Sequence, residues 1–490
     1  MQHIIKNYLK EIHIKYSQGD AREESYYNIL EQMILKTAEN LNKSKIHITI
    51  LPKKTEGGNP DFRIWDGKSR IVGYIEAKKP EIDLDDVEHT EQIKRYKDVF
   101  PNFILTNFLE FRFYRNGKII DRVSIGRQHT LVVLITKPVS EHEKEFSELF
   151  EKFFSFTFPQ NMNARLLSKE LAKRTRFLRD QVIIEELKEQ NEEGHNHILG
   201  FYDAFKKYLI FNLTEETFAD LYSQTITYGL FAARTRCKEE FNRKNAVDFI
   251  PTTIGILQEV FQFISLGHAP KQMEWIIDDI AQVLASVDVS LILTEFFQYG
   301  KGDDPIVHFY ETFLNEYNPK LREKRGVYYT PAPVVSFIVR SLNIILKEHF
   351  NKPDGLADLN VKILDPAAGT LTFMAEAANL ALKEYIEKYG EGVKDDFIRK
   401  HLLKNFYAFE LMMAPYAIGH MKMSYIFEEM GYTLRDQDSF KLYLTNTLEM
   451  EDIEQTDFPG MATLSEESYL AGKIKKETQI LVILGNPPYS

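Results

Sequence analysis

The sequence predicts a multidomain α/β protein: a small N-terminal α/β unit, a helical connector and a C-terminal sheet of the doubly wound, Rossmann-like kind. Three observations carry that expectation. Helical and strand-like runs alternate over 21–135; helix-period runs then follow one another with few turn signals to about 320; from about 326 strand-like runs alternate again with long helical ones. At 490 residues the chain is too long for one core, and domains of 1–140, 141–320 and 321–490 follow from those changes of pattern.

Taken in order, residues 21–35 read as an amphipathic helix, with Tyr26, Ile29, Leu30, Met33 and Ile34 on one stripe. Strand-like runs follow at Ile46–Leu51, Asp61–Trp65 and Ile71–Ala77, then an acidic helical stretch at Asp85–Lys97. Further strands are expected at Phe103–Thr106, Phe111–Tyr114 and Leu131–Ile135. The connector has helical patterns at Glu141–Phe154, Ser168–Gln190 and Glu274–Tyr299 and no catalytic cluster. In the last part, strands at Val361–Leu364, Phe406–Phe409 and Gln479–Leu484 alternate with helices at Pro333–Glu348, Thr372–Tyr389 and Pro415–Met430.

Composition narrows the chemistry. Hydrophobic residues make up 44% and charged residues 27%, as in ordinary globular protein. No run of about 18 apolar residues is present, so no membrane partner is expected. The start, Met1-Gln2-His3-Ile4-Ile5-Lys6, lacks a signal-peptide apolar region, and a cytoplasmic location is expected. The one cysteine, Cys237, excludes an internal disulfide and a Cys-rich zinc site. The 13 histidines show no paired metal spacing, so a bound metal would be a hard ion held by carboxylates. The net charge of −11 counts against nucleic acid, but binding depends on local patches. Residues 161–179 carry Arg165, Lys169, Lys173, Arg174, Arg176 and Arg179 against Glu170; Arg322, Lys324 and Arg325 form a second cluster. Such runs are more often solvated helix faces than DNA contacts.

Two constellations carry chemistry. In the first, Pro60-Asp61 and Glu76-Ala77-Lys78 lie on two strands of a hairpin. Residues i and i+2 of a strand share a face, so Glu76 and Lys78 project together and Asp61 can meet them. Two carboxylates can hold Mg²⁺, and a lysine can orient an attacking water and offset charge on a phosphate. This set resembles the PD-(D/E)xK nuclease superfamily. Gln92-Ile93-Lys94-Arg95-Tyr96 is similar to the QxxxY motif of some branches, and Gly57-Gly58-Asn59-Pro60 precedes the aspartate. The resemblance implies a Mg²⁺-dependent endonuclease using Asp61, Glu76, Lys78, Gln92 and Tyr96. It places a further metal-site acid on the first amphipathic helix: Glu24, with Glu23 and Glu31 as rivals.

The second constellation ends the sequence. Asn486-Pro487-Pro488-Tyr489 follows the apolar run Ile480–Leu484. An aromatic amine is a poor nucleophile because its lone pair is delocalised. An Asn oxygen and a backbone carbonyl, held rigid by prolines, can accept its two hydrogens, while a tyrosine stacks on a flipped-out base. Upstream, Val361–Asp365 is an apolar strand ending in an acid, followed by the small-residue turn Pro366-Ala367-Ala368-Gly369-Thr370. The next strand ends in Glu410, suited to two ribose hydroxyls, and a third strand end carries Asn446, within reach of an adenine.

That order resembles the S-adenosylmethionine-dependent DNA N6-adenine methyltransferases of the gamma arrangement. Gly326-Val327-Tyr328-Tyr329-Thr330-Pro331 is similar to their cofactor-clamping segment, so Thr330 and Pro331 join Asp365, Gly369, Glu410 and Asn446 as implied cofactor residues. Phe409–Tyr416 resembles a narrower group, the type IIG-like restriction-modification enzymes that fuse a nuclease to a methyltransferase. The resemblance implies double-stranded DNA as partner and S-adenosylmethionine and Mg²⁺ as cofactors. Gly67-Lys68-Ser69 is not a P-loop, since Phe62 stands where the first glycine is needed, and no ATP-driven motor is expected. In the family's glycine-rich motif Leu371 replaces the last glycine, where a side chain is expected to crowd the cofactor. The family's remaining strands and recognition domain follow the catalytic loop, so the methyltransferase half is expected to be incomplete, with recognition by a separate domain or a continuation of the chain. Two other readings stand beside this one. The chain is an adenine methyltransferase with a non-catalytic, nuclease-like DNA-binding domain, or a non-catalytic DNA- and cofactor-binding fragment.

Overall fold

The computed structural model describes residues 1–50, 59–67, 70–127, 139–158, 162–193, 197–251, 254–299, 305–318, 330–435, 438–449 and 462–487. The expected strand at Leu131–Ile135, the basic cluster at Arg322–Arg325, and Gly57, Gly58, Pro488 and Tyr489 lie outside them. Two compact units are present, Met1–Gln160 and Asn161–Ser490. Among the described residues no helix is long and apolar enough to cross a membrane.

The first unit is a six-stranded sheet in sequence order: β1 (His47–Ile50), β2 (Phe62–Trp65), β3 (Ile71–Ala77), β4 (Asn102–Thr106), β5 (Glu110–Arg115) and β6 (Lys118–Ser124). Only β3 and β4 are parallel. Their crossover is a short helix at Leu84–Val87, then α1 (Glu91–Val99), whose N-cap Thr90 accepts the Ile93 N–H. The acidic stretch read as one helix is therefore two, broken where Thr90 caps the second. Strand β3 is buried along its whole length, as a central strand covered on both faces must be. The turn into β6 was not anticipated. Asn116 and Gly117 both adopt positive φ, the pairing that a tight hairpin requires.

One face of this sheet packs on the helices Gln2–Tyr16, Tyr27–Asn40 and Glu143–Phe154. Phe146, Leu149, Phe150 and Phe153 are fully buried there. Helix Glu143–Phe154, assigned to the connector from sequence, is thus part of the N-terminal core, and the unit runs on to Gln160. Four apolar residues at helical spacing look alike whichever domain they bury against.

In the second unit the helical segment and the C-terminal sheet pack together rather than forming separate bodies. The long helix Glu215–Arg236, buried from Phe218 to Ala233, lies against the helix Met413–Glu429. Thr463 donates to Glu259 at 2.5 Å. Within the basic run at 161–179, Arg174, Arg176 and Arg179 turn inward or pair. Arg174 is fully buried, with Asp279 at 2.6 Å and Glu170 at 2.8 Å; Arg176 donates to the carbonyls of Glu316 and Tyr317; Arg179 pairs with Asp180 and Asp220. These three guanidiniums hold helices together.

The sheet of this unit is wholly parallel, in the order β10–β7–β8–β9, with β7 Ile363–Asp365, β8 Phe406–Glu410, β9 Lys441–Leu444 and β10 Val482–Ile483. The chain passes outward from β7 to β9 and then returns to the other side of β7. The order reverses between β7 and β10, and the crevice outside the strand ends at such a reversal is where open α/β sheets bind ligands.

Candidate active sites

In the N-terminal unit the register Phe62↔Ile75 brings Asp61 beside the end of β3. Asp61 is fully buried; its Oδ2 accepts the Ala77 N–H at 2.6 Å and its Oδ1 accepts the Tyr27 hydroxyl. Glu76 is also fully buried. Its Oε1 receives Lys78 Nζ at 2.6 Å and Gln92 Nε2 at 3.3 Å, and Gln92 Nε2 also reaches the Tyr96 hydroxyl at 3.2 Å. Glu76, Lys78, Gln92 and Tyr96 are therefore joined by hydrogen bonds, and Asp61 meets the same strand end through the Ala77 N–H, between Glu76 and Lys78. Residues 92 and 96 are one helical turn apart on α1, so both reach the same strand end.

Glu24 does not join them. It is exposed on the 3₁₀ turn Glu23–Tyr26, and the acid of that turn tied to the group is Glu23, whose Oε1 lies 3.1 Å from the Tyr27 hydroxyl. The chain enters the helix through a 3₁₀ turn, which sets the face that each of these residues presents. Among the described residues no group of three or more His, Cys, Asp or Glu is arranged to hold a metal. The two buried carboxylates still fit Mg²⁺, a hard ion that keeps several waters and takes one or two carboxylates.

In the second unit the loops after all four strands meet. Asp365, at the end of β7, is buried, and its Oδ1 accepts the Ala367 N–H at 3.2 Å. Burial pushes its pKa up to about 7; the Ala367 N–H opposes this and the Glu410 charge adds to it. Glu410, ending β8, accepts the Gly369 N–H at 2.8 Å on Oε2 and the Met412 N–H at 2.7 Å on Oε1. Burial raises its pKa too, against those N–H bonds. Beyond β9, the Thr447 hydroxyl donates to the Pro366 carbonyl, and Asn446 Oδ1 accepts the Leu448 N–H. Lys475, from the helix Ala462–Glu477, donates to Thr445 Oγ1 and to the carbonyls of Asn446 and Glu449. Asn486 Nδ2 donates to Thr330 Oγ1 at 3.1 Å, and Pro331 caps the helix Ala332–His349. Gly485 rests on Asp365: a β-carbon there would overlap the carboxyl oxygen Oδ1. Gly485, Thr447 and Lys475 were not anticipated. The glycine directly before the Asn-Pro-Pro segment was a usable signal; the other two carry none.

Leu371 does not crowd this crevice. It is fully buried at φ 61°, and its side chain points to Gly419 and Leu442: a β-carbon at Gly419 would stand 3.0 Å from Leu371 Cγ and 2.9 Å from Leu442 Cδ2. Around Gly369, by contrast, an added β-carbon would meet nothing within 4 Å, so the turn faces open space. Leu371→Gly is accordingly expected to lower stability. It relieves about 1–2 kcal/mol of left-handed strain but forfeits about 3–5 kcal/mol of buried side chain. Urea unfolding should show a net loss of about 2 kcal/mol, with cofactor affinity unchanged.

The raised Asp365 pKa also predicts a pH dependence. A carboxyl whose folded pKa exceeds its unfolded value holds more protons when folded, so its contribution falls as pH rises from about 4 to about 7 and is level above. Asp365→Asn should flatten the fall in Tm between pH 5 and 8; an unchanged profile would refute this.

A parallel α/β sheet with polar loops converging at a strand-order reversal defines a nucleotide-cofactor fold. Residues 301–490 match the N-6 DNA Methylase family, and this part of the chain is a methyltransferase domain of that kind. The family uses S-adenosylmethionine, and the open turn at Gly369 beside Glu410 suits its small-residue approach and ribose. No curated protein matches the sequence. Among solved structures the chain is similar to DrdV in its DNA complex (21% identity, 100% of this chain and 44% of that one, TM-score 0.43). It is similar to the Type ISP restriction-modification enzyme LlaGI with a DNA substrate mimic (24%, 71% and 26%, 0.48). The type IIG restriction endonuclease BpuSI also matches (13%, 88% and 42%, 0.24). The chain spans less than half the length of each.

Proposed function

We propose that the chain is a restriction-modification protein: an N-terminal Mg²⁺-dependent endonuclease joined to an S-adenosylmethionine-dependent adenine-N6 methyltransferase, both acting on double-stranded DNA. The observation that carries the methyltransferase half is the convergence of Asp365, Gly369, Glu410, Asn446, Thr330 and Asn486 on one crevice of a domain of that family. Glu410 would take the ribose hydroxyls, Asn446 the adenine, and Thr330 with Pro331 would close over the cofactor. Asn486 would accept an N–H of the target amine through its side-chain oxygen. Pro487, Pro488 and Tyr489 would stiffen this loop and stack on the base.

The nuclease half rests on the hydrogen-bonded group of Glu76, Lys78, Gln92 and Tyr96, with Asp61 held at the same strand end by the Ala77 N–H. Asp61 and Glu76 would hold Mg²⁺, which supplies a polarised phosphate and an activated water. Lys78 would place its ammonium beside the phosphate, while Gln92 and Tyr96 fix the Glu76 carboxylate. Two measurements test the reading: nicking of plasmid DNA with Mg²⁺ or EDTA, and calorimetric titration with S-adenosylmethionine. Binding without cutting would leave a methyltransferase with a nuclease-like DNA-contacting unit; neither would leave a non-catalytic fragment.

A further inference from the structure

Among the described residues that contact Asp61, Tyr27 belongs to no motif in the sequence. It opens the helix Tyr27–Asn40 and is almost entirely buried. Its ring meets Phe62 edge-on at 4.9 Å, and Phe62 directly follows Asp61. Its hydroxyl donates to Asp61 Oδ1 and stands 3.1 Å from Glu23 Oε1.

A tyrosine hydroxyl has one hydrogen. Here that hydrogen goes to Asp61, while the Ala77 N–H holds the other carboxyl oxygen. With a donor on each oxygen, the plane of the Asp61 carboxylate is set from both sides.

We infer that Tyr27 is a positioning residue for the proposed cation site: its hydroxyl, together with the Ala77 N–H, fixes the orientation of the Asp61 carboxylate. This rests on the nuclease reading above. The ring is a second link, because it presses the start of β2 against the first helices. Packing and hydrogen bonding can thus be separated by mutation.

The test is calorimetric titration of the full chain with Mn²⁺ and Mg²⁺, with thermal unfolding of each variant. Tyr27→Phe keeps the ring and removes the hydroxyl; it should weaken cation binding about 10–100-fold, the usual cost of losing a partner of a metal ligand, with Tm little changed. Phe62→Leu keeps the hydroxyl and removes the ring contact; it should lower Tm and leave the affinity within about threefold of wild type. Tyr27→Phe binding as tightly as wild type would overturn the inference while the nuclease reading stands. Equal losses of affinity in the two variants would also overturn it, since the role would then be packing. No cation binding by wild type, with Asp61→Asn identical to it, would remove the nuclease reading and this inference together.

Discussion

Asp61→Ala is expected to reduce Mg²⁺-dependent nicking of plasmid DNA by about 100-fold or more, because it removes one of the two carboxylates of the proposed cation site. The change also strips two donors of their acceptor, the Tyr27 hydroxyl and the Ala77 N–H, in a fully buried place. A fall in stability will accompany it, so Asp61→Asn, which keeps the volume, belongs in the same assay with Tm as a control. Lys78→Met should match it in lost cutting for a different reason. The lysine ammonium, 2.6 Å from Glu76, supplies positive charge rather than a ligand. Cation affinity in Lys78→Met should hold or rise, because a cation no longer competes with Lys78 for Glu76. Cutting at the wild-type rate by both Asp61 variants would end the nuclease assignment.

Glu410→Ala is expected to weaken S-adenosylmethionine binding by about 100-fold, the equivalent of two charge-assisted hydrogen bonds of about 1.5 kcal/mol each. Its carboxylate already bridges the β7 and β8 turns through the Gly369 and Met412 N–H groups. Losing it therefore removes both ribose acceptors and the tie that shapes the turn. Glu410→Gln keeps one acceptor oxygen and should lose about tenfold. Calorimetry on the full chain reads both, and an unchanged Kd for Glu410→Ala would show that the cofactor, if bound, lies elsewhere.

Most of the second unit's sheet was legible because its strands are apolar runs that end in acids or turn residues. Val361–Asp365 and Phe406–Glu410 read correctly to within two residues of β7 and β8. The helix Ala462–Glu477, which supplies Lys475 and Glu467, was not, because its apolar positions are spread around the helix. Glu467 is partly buried nevertheless; it accepts the Leu444 N–H and the Tyr416 hydroxyl, and burial pushes its pKa up to about 7. In the first unit the strands β2 and β3 were readable as short β-like runs. The first helix, Gln2–Tyr16, went unread, although Ile5, Tyr8, Leu9 and Ile12 make a plain stripe.

The sequence by itself determined the chemistry available to this protein: which acids, amides and glycines stand at strand ends, and in which order. Those are local properties, written in residue type and in spacings of two, three or four. The tertiary structure alone decided which of them meet. It chose Glu23 over Glu24 through a 3₁₀ turn and brought Tyr27 to Asp61 across 34 positions. It drew Asn486 to Thr330 across 156 positions, and turned Leu371 away from the crevice into a space left by Gly419. Contacts between distant positions depend on how whole elements pack, and close packing has no period along the chain.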